Sequence, residues 1–421
     1  MSVCTCPFGR IAAAGASFIG AGLAGLATTW HLVDVASKRG LNAVTVDLYD
    51  AKGIGAGASG AAAGLLHAYG PRGKVLWRGP EAFDAARTLL RAAGAHGEDP
   101  VRARHGLVRP ASGRRNAEQL WRNLGVPVDG GDGVGEARAA RCVSLEQLAA
   151  LMPSGGATVG AALRLPAPTC AEEVGGLLVP DGLVVSPQVY MAGLWEACVA
   201  LAGGAGAAVR LVEAEVGSVA EMGGEYDAVV VAAGAAMGSV AEARGAFPLR
   251  FCQGFSIELA GAGRAGAGRE YPGGSPSVLG SYYVAEHDRD RVVVGATKDN
   301  DATAADAGPE AAAVGVLRGK AEGIWSDLAD WDVALLRSGV RALSPKTHLG
   351  TLPMAGRVGQ VAGGTEVWAV TGLGARGFLY HAILGKWLAQ AVLDRDPGAL
   401  PEELRVWQGR GATHEGALAK R

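Results

Sequence analysis

Charge is scarce in this sequence. Charged residues make up 19% of its 421 positions, and 39 basic against 41 acidic side chains leave a formal net charge of -2. Without a broad cationic field, nucleic acids and anionic membrane surfaces are not expected partners, because both are held largely by neutralising phosphate charge. No apolar run reaches eighteen residues, so a membrane-spanning helix is not expected either. Cysteine is sparse: Cys4, Cys6, Cys142, Cys170, Cys198 and Cys252 show no metal-ligand spacing, and only the first two are close together. Free thiols in a reducing compartment are the expectation, not a disulfide framework. No obvious His/Asp or Cys/His pairing of the kind nucleophilic catalysis uses stands out.

Apolar residues make up 49% of the chain, enough for one large core or two joined domains. Its 66 glycines and its alanine runs, such as Ala61–Ala63, are scattered among Leu, Val and Trp, which reads as compositional bias and not as a linker. The apolar stretch Ile11–Leu26 follows Arg10 and has the outline of a secretion signal, but its centre has a better use. A transit peptide is hard to fit ahead of a motif that begins at Gly20. A cytoplasmic protein is expected, with a plastid or mitochondrion left open.

That centre is Gly20-Ala21-Gly22-Leu23-Ala24-Gly25, a G-x-G-x-x-G between a strand candidate, Ala16–Ile19, and a helix candidate, Leu26–Ala36. The first glycine allows a tight turn, the second a close approach of pyrophosphate, and the third close packing of helix on strand. The pyrophosphate then rests on the helix N-terminus. In so glycine-rich a chain the hexapeptide is weak alone. The following strand, Ala43–Asp50, alternates and ends on an acid: Asp50 is placed to accept from ribose hydroxyls, with mid-strand Asp47 as its rival. Ahead of the motif, Gly15 interrupts Ile11–Gly15, so the N-terminus reads as irregular.

Past Asp50 come Gly53, Gly55 and Gly57, then Ala58-Ser59-Gly60 and Gly64. Further on stand Asp181–Pro187 leading to a helix at Leu194–Ala202, and Tyr226–Ala235, an apolar strand ending in Ala233-Gly234-Ala235. Gly339-Val340-Arg341, Leu352–Gly356 and Trp368–Phe378 follow, the last containing Gly374-Ala375-Arg376-Gly377 ahead of a helix at Ile383–Val392. This ordered set resembles the D-amino-acid oxidase family of FAD-dependent oxidoreductases, which includes glycine and sarcosine oxidases. It is also similar to the oxidase domain of the bifunctional enzyme of tRNA methylaminomethyl-thiouridine biosynthesis. Against that last likeness, Ala61–Ala63 stand where those enzymes carry polar residues, and no methyltransferase portion accompanies the chain.

The resemblance implies a discontinuous Rossmann-like α/β domain with an inserted mixed-sheet, α+β substrate domain. The expected division is 10–85, 186–247 and 336–405 for FAD, 86–185 and 248–335 for substrate, and 406–421 as a tail. It implies Gly20, Gly22, Leu23, Ala24, Gly25, Asp50, Ala58, Ser59, Gly60, Gly64, Ala233, Gly234, Gly374, Arg376 and Gly377 as FAD contacts; Ser59 reads equally as a helix N-cap. Non-covalent FAD is expected, because alanines occupy the region where a covalent branch of the family has histidine. Arg341 matches the family's carboxylate-binding arginine, a task suited to a two-pronged guanidinium, with an ion-pair arginine as the plainer reading. Arg376 is expected at the flavin or substrate, and Tyr282 in preference to Tyr283 at the pocket; adjacent strand residues face opposite ways, so at most one can line it, and packing is the plainer reading for either.

The implied activity is oxidation of the C–N bond of a small amino acid or secondary amine by hydride transfer to flavin. The imine then hydrolyses, and oxygen is the expected acceptor. Alternatives are a flavin dehydrogenase using an electron carrier and a catalytically idle flavin-binding protein.

Overall fold

The structure is a computed structural model that describes residues 15–41, 44–125, 140–152, 174–222, 224–261, 270–300, 310–405 and 407. Ile11–Ala14, Ala43, Cys4, Cys6 and Cys170 lie outside them. Cys142, Cys198 and Cys252 are buried free thiols, and no described helix is long and apolar enough to cross a membrane.

Two sheets dominate. The smaller has six strands in the order Met354–Gln360, Glu366–Thr371, Ala228–Val231, Gly15–Ile19, Thr45–Tyr49 and Ala208–Val212. All neighbours run parallel except the edge strand Met354–Gln360. A parallel sheet is covered on both faces, which explains why Ala228-Val229-Val230-Val231 is apolar without alternation and buried throughout. The helices Leu23–Lys38 and Gly377–Asp394 lie together on it. They approach so closely that a Cβ on Gly385 would come within 2.9 Å of the Ala27 and Thr28 backbone.

The eight-stranded sheet runs Asp332–Leu343, Arg250–Ala260, Arg291–Gly295, Tyr283–Asp288, Ser277–Val278, Leu107–Pro110, Val174–Val179 and Arg141–Ser144. Period-two alternation sorts its side chains. Phe255, Ile257, Leu259, Val284, Val292 and Val294 face the helix Glu310–Ile324 and the buried Trp325 and Trp331. Leu107, Ala285 and Val293 face the other way, toward Ala63. Each fully buried aliphatic side chain of these cores contributes roughly 1.5–3 kcal/mol.

The second, mixed sheet is therefore present, but two expected boundaries pass through elements. The helix Gly79–Ala95 packs whole into the first core, through Ala82, Phe83, Ala86, Leu89, Leu90 and Ala93; a cut after 85 would split it. The strand Asp332–Leu343 pairs with Arg250–Ala260 along its length, so a cut at 336 divides a strand of the larger sheet. The expected tail also starts too early: Trp407 stacks on Phe247 with ring centroids 4.1 Å apart and donates to the Ala355 carbonyl at 3.3 Å. The helices expected at 26–36, 194–202 and 383–392 span 23–38, 187–205 and 377–394, because the pattern marks buried faces and not caps.

Candidate active site

The strand Gly15–Ile19 delivers the chain to Gly20, whose φ of +116° is open to glycine and whose Cβ would press on the Ala232 carbonyl at 2.5 Å. Gly22 is close to Ser59, and a Cβ there would stand 2.9 Å from Ser59 Oγ. A Cβ on Gly25 would overlap the Gly20 carbonyl oxygen, so any side chain there drives helix and turn apart. The helix begins with no acid in its first turn and no side-chain cap on Gly22. Ser59 Oγ instead accepts from the Leu23 N–H at 3.2 Å, across 36 residues of chain. Ala24 and Gly25 complete this turn, and its unpaired N–H groups and helix dipole favour an anion by about 0.3–1 kcal/mol for each favourable charge at an exposed site. The three close approaches form a cradle that any Cβ would fill, and its chemistry fits a dinucleotide pyrophosphate.

Asp50 lies just past Thr45–Tyr49. Its carboxylate accepts from the N–H groups of Ala21 at 2.8 Å and Lys52 at 2.9 Å, which fixes it beside the glycine turn. The rival is otherwise engaged. Asp47 is 2% exposed and receives both prongs of Arg210 at 2.7 and 2.6 Å and the Tyr226 hydroxyl at 2.6 Å. Burial pushes its carboxyl up, but these donors outweigh burial and hold it below the usual carboxylate range. Asp47 is thus a structural ion-pair member, and Asp50 keeps the position facing the turn.

The loop carrying Ala58, Ser59 and Gly60 runs between the two sheets and is pinned by its carbonyls. Gly60 O accepts from Gln188 at 2.6 Å, Ala61 O from Ser256 at 3.3 Å, Ala63 O from His287 at 3.0 Å, and Gly64 O from Val185 N at 2.9 Å. Ala58 also sets a limit on the larger sheet: a Cβ on Gly339 would stand 2.8 Å from its Cα. Ala233 abuts Gly20, where a Cβ would lie 3.1 Å from Ala233 Cα, and Gly234 follows it at a φ of +56°. Gly374, Arg376 and Gly377 join from the C-terminal side. Leu343 bridges to Leu373, a Cβ on Gly377 would lie 3.2 Å from Leu23, and Arg376 Nη1 donates to the Thr351 carbonyl at 3.3 Å.

Arg341 is two residues beyond Gly339 and shares its face of the sheet. Its guanidinium extends over Gly254, the place a Cβ would take, and donates to the Thr297 carbonyl at 3.1 Å. No acid pairs with it among the described residues, whereas Arg337, on the same face, bonds Glu258 at 2.5 Å. The two tyrosines separate as strand parity requires. Tyr283 packs over Gly295 beside Ser256, on the Arg341 face, and burial pushes its hydroxyl up to about 12. Tyr282, the expected pocket tyrosine, is instead against the other core, with Lys320 Nζ 5.3 Å above its ring. The structure does not bring Tyr282 to this place, because a one-residue step on a strand changes sides.

Of the two histidines that border the glycine segments, His381 is buried and His67 is half-buried. His381 is held by the Tyr190 hydroxyl at 2.6 Å and the Gly377 carbonyl at 3.0 Å, and burial lowers its ring to about 4. His67 Nδ1 accepts from Tyr69 N at 3.3 Å; burial first, then the positive Arg109 and Arg376, lower it to about 3. Arg109 was missed in the sequence. Its signal was available, since Leu107 and Arg109 share a face in an otherwise apolar strand. Ser256, Gly254 and Thr297 were missed as well, and no local pattern marks them.

Three comparisons bear on this arrangement. Residues 19–391 match the family model described as FAD dependent oxidoreductase. An uncharacterized oxidoreductase, YurR of Bacillus subtilis (strain 168), is 35% identical over 113 residues, 27% of this chain and 28% of that protein's length. The match thus spans little more than a quarter of that relative. The fold is similar to iminodiacetate oxidase from Chelativorans sp. BNC1, with TM-score 0.65 and 23% identity over 92% of this chain and 97% of that one. It is likewise similar to glycine oxidase from Geobacillus kaustophilus, with TM-score 0.64 and 20% identity over 93% and 98% of the two chains. At such identities the likeness speaks for the fold.

Proposed function

Because the chain belongs to the D-amino-acid oxidase family of FAD-dependent oxidoreductases, we propose that it oxidises the C–N bond of a small amino acid or carboxylate-bearing secondary amine. The observation that carries this reading is Arg341, a guanidinium with no acidic partner among the described residues, on the sheet face that receives the Ala58–Gly64 loop. Its planar fork suits a carboxylate, and such a pair fixes a substrate's orientation as well as its affinity. The names of iminodiacetate oxidase, glycine oxidase and the fructosyl amine:oxygen oxidoreductase of Aspergillus fumigatus point the same way, the last naming oxygen as acceptor.

Bound FAD supplies the two-electron acceptor for the carbon next to nitrogen. The residues of the chain do the rest. Gly20–Gly25 and Ser59 take the pyrophosphate, Asp50 the ribose, and Ala233, Gly234 and the Gly374–Gly377 turn close on the cofactor. With Ala61–Ala63 in the loop and His67 Nδ1 already occupied by the Tyr69 N–H, attachment is non-covalent. Arg341 holds the carboxylate, and Tyr283 limits the space beside it. Titratable groups around it do not act as a base near neutrality: Tyr283 loses its proton only near 12 and His67 gains one only near 3. The amine therefore reacts after shedding its proton to water, and the imine product hydrolyses in solution.

The test is to load the protein with FAD, exclude oxygen, and follow bleaching of the yellow colour with a panel of amino acids and amines. Reduction by carboxylate-bearing amines is expected. A yellow protein bleached by none of them refutes amine oxidation, and re-oxidation by air decides between oxygen and an electron carrier.

A further inference from the structure

On the face of the larger sheet that meets the glycine loop, charges are mostly settled within the protein. Arg337 and Arg291 share Glu258 at 2.5 and 2.6 Å. Among the described residues, Arg109, Arg341 and Arg376 have no such acid. The proposed substrate carboxylate answers for Arg341, but Arg109 has no counterpart. It stands on Leu107–Pro110, and the pairing Ser277↔Leu107 with Val278↔Val284 puts it on the face of Tyr283 and Arg341. Its Nε is buried without a hydrogen-bond partner, and burial lowers the guanidinium to about 10, still charged at neutrality. A guanidinium has five donors and no acceptor, and a charge taken out of water is stable only when an anion or a full set of acceptors receives it.

The neighbours deepen the deficit. His67, under the positive field of both Arg109 and Arg376, is neutral, and Arg376, which donates to the Thr351 carbonyl, adds a second positive charge. The pyrophosphate is no candidate for the missing anion, because its cradle is the Gly20–Gly25 turn of the other sheet.

We propose that Arg109, assisted by Arg376, is a second anion-binding position of the substrate site, and that the substrate class is a small amine bearing two carboxylates. Arg341 takes one carboxylate and Arg109 the other. This inference rests on the amine-oxidation reading and narrows it from any carboxylate-bearing amine to dianionic ones.

The experiment uses the FAD-loaded protein and matched pairs. N-methylglycine is compared with N-carboxymethylglycine, and alanine with aspartate, for anaerobic flavin reduction. Butyrate is compared with glutarate, neither of which is oxidised, for perturbation of the visible flavin band. The dicarboxylate member is expected to be favoured at least about tenfold in each pair, the weight of a charge-assisted pair, and Arg109→Gln to bring that ratio back to about one. Arg109→Lys keeps the charge without the fork and is expected in between. FAD content and the visible spectrum show that each variant is folded.

Equal binding of butyrate and glutarate by the wild type overturns the proposal, as does an Arg109→Gln that lowers both members of each pair alike. So does a variant that shifts the flavin reduction potential with the ratio intact, since Arg109 would then serve the flavin. The two readings separate cleanly: glutarate preference that depends on Arg109 without reduction by any amine removes amine oxidation and leaves the dianion site. Amine oxidation without dicarboxylate preference does the reverse. A third readout needs no turnover. In the absence of ligand, Arg109→Met is expected to raise Tm by about 2–4 °C, because an uncompensated buried charge is removed; a fall would mean that the protein itself satisfies Arg109.

Discussion

At the end of the smaller sheet, the groups kept for a ligand belong to the backbone: a glycine turn, the first N–H groups of a helix, and one carboxylate fixed by the Ala21 and Lys52 amides. On the larger sheet they are side chains, and they are cationic. The ionisable groups of the smaller sheet are spoken for, as when Asp47 takes Arg210 and Tyr226 together. Among the described residues, those of the larger sheet are joined in ion pairs at its Glu258 end. A backbone site demands small residues at fixed spacing and tolerates little else. A side-chain site demands only charge on the correct face, which many strands could supply.

The sharpest break of this contrast is Gly25→Ala. The added methyl overlaps the Gly20 carbonyl, so FAD affinity should fall at least about a hundredfold, roughly 3 kcal/mol, by the reasoning for overpacked sites; visible absorbance after gel filtration measures it. Arg341→Met should leave FAD content intact and raise KM for carboxylate substrates about 10- to 100-fold, since a charge-assisted pair contributes about 1.5–3 kcal/mol. A normal KM would place the carboxylate elsewhere. Asp50→Ala should weaken FAD about tenfold and leave KM alone, which titration of the apoprotein would show.

Acid should act on the core beneath the smaller sheet. His381 and His31 titrate near 4 in the folded state, both through burial first, against 6.5 for a free ring. The unfolded chain therefore takes up protons first as pH falls below 6.5. Stability is fully present above 6.5 and declines toward 4 by about 1.4 kcal/mol per pH unit for each ring; urea midpoints at pH 7, 6 and 5 measure this. The smallest effect separates two adjacent residues. Tyr283→Phe should change kcat/KM a few-fold through its contact beside Arg341, and Tyr282→Phe should change it less than twofold.

The halves also differed in how far the sequence disclosed them. The close approaches at Gly20, Gly22 and Gly25 were legible, since they follow from having no side chain, and the place of Asp50 beside the turn follows from the strand end. The pinning of the Ala58–Gly64 loop was invisible, because Gln188, Ser256 and His287 reach it from distant elements. Tyr282 was preferred over Tyr283 for want of a register, and parity became readable only once Tyr283 was paired with Gly295. The boundaries at 85 and 336 failed for a related reason. Gly79–Ala95 and Asp332–Leu343 take their allegiance from contacts with far-off chain, and composition does not change where they begin.

The helix Gly377–Asp394 lies against Leu23–Lys38, and the two are separated by about 340 residues of chain. During synthesis at about 5–20 residues per second, the first helix waits roughly 20–70 s for its last partner to emerge. The glycine turn is thus among the first parts made and among the last secured. The growing chain cannot close its cofactor site in order from the N-terminus, and capture of FAD belongs to the end of folding, when both ends of the molecule meet.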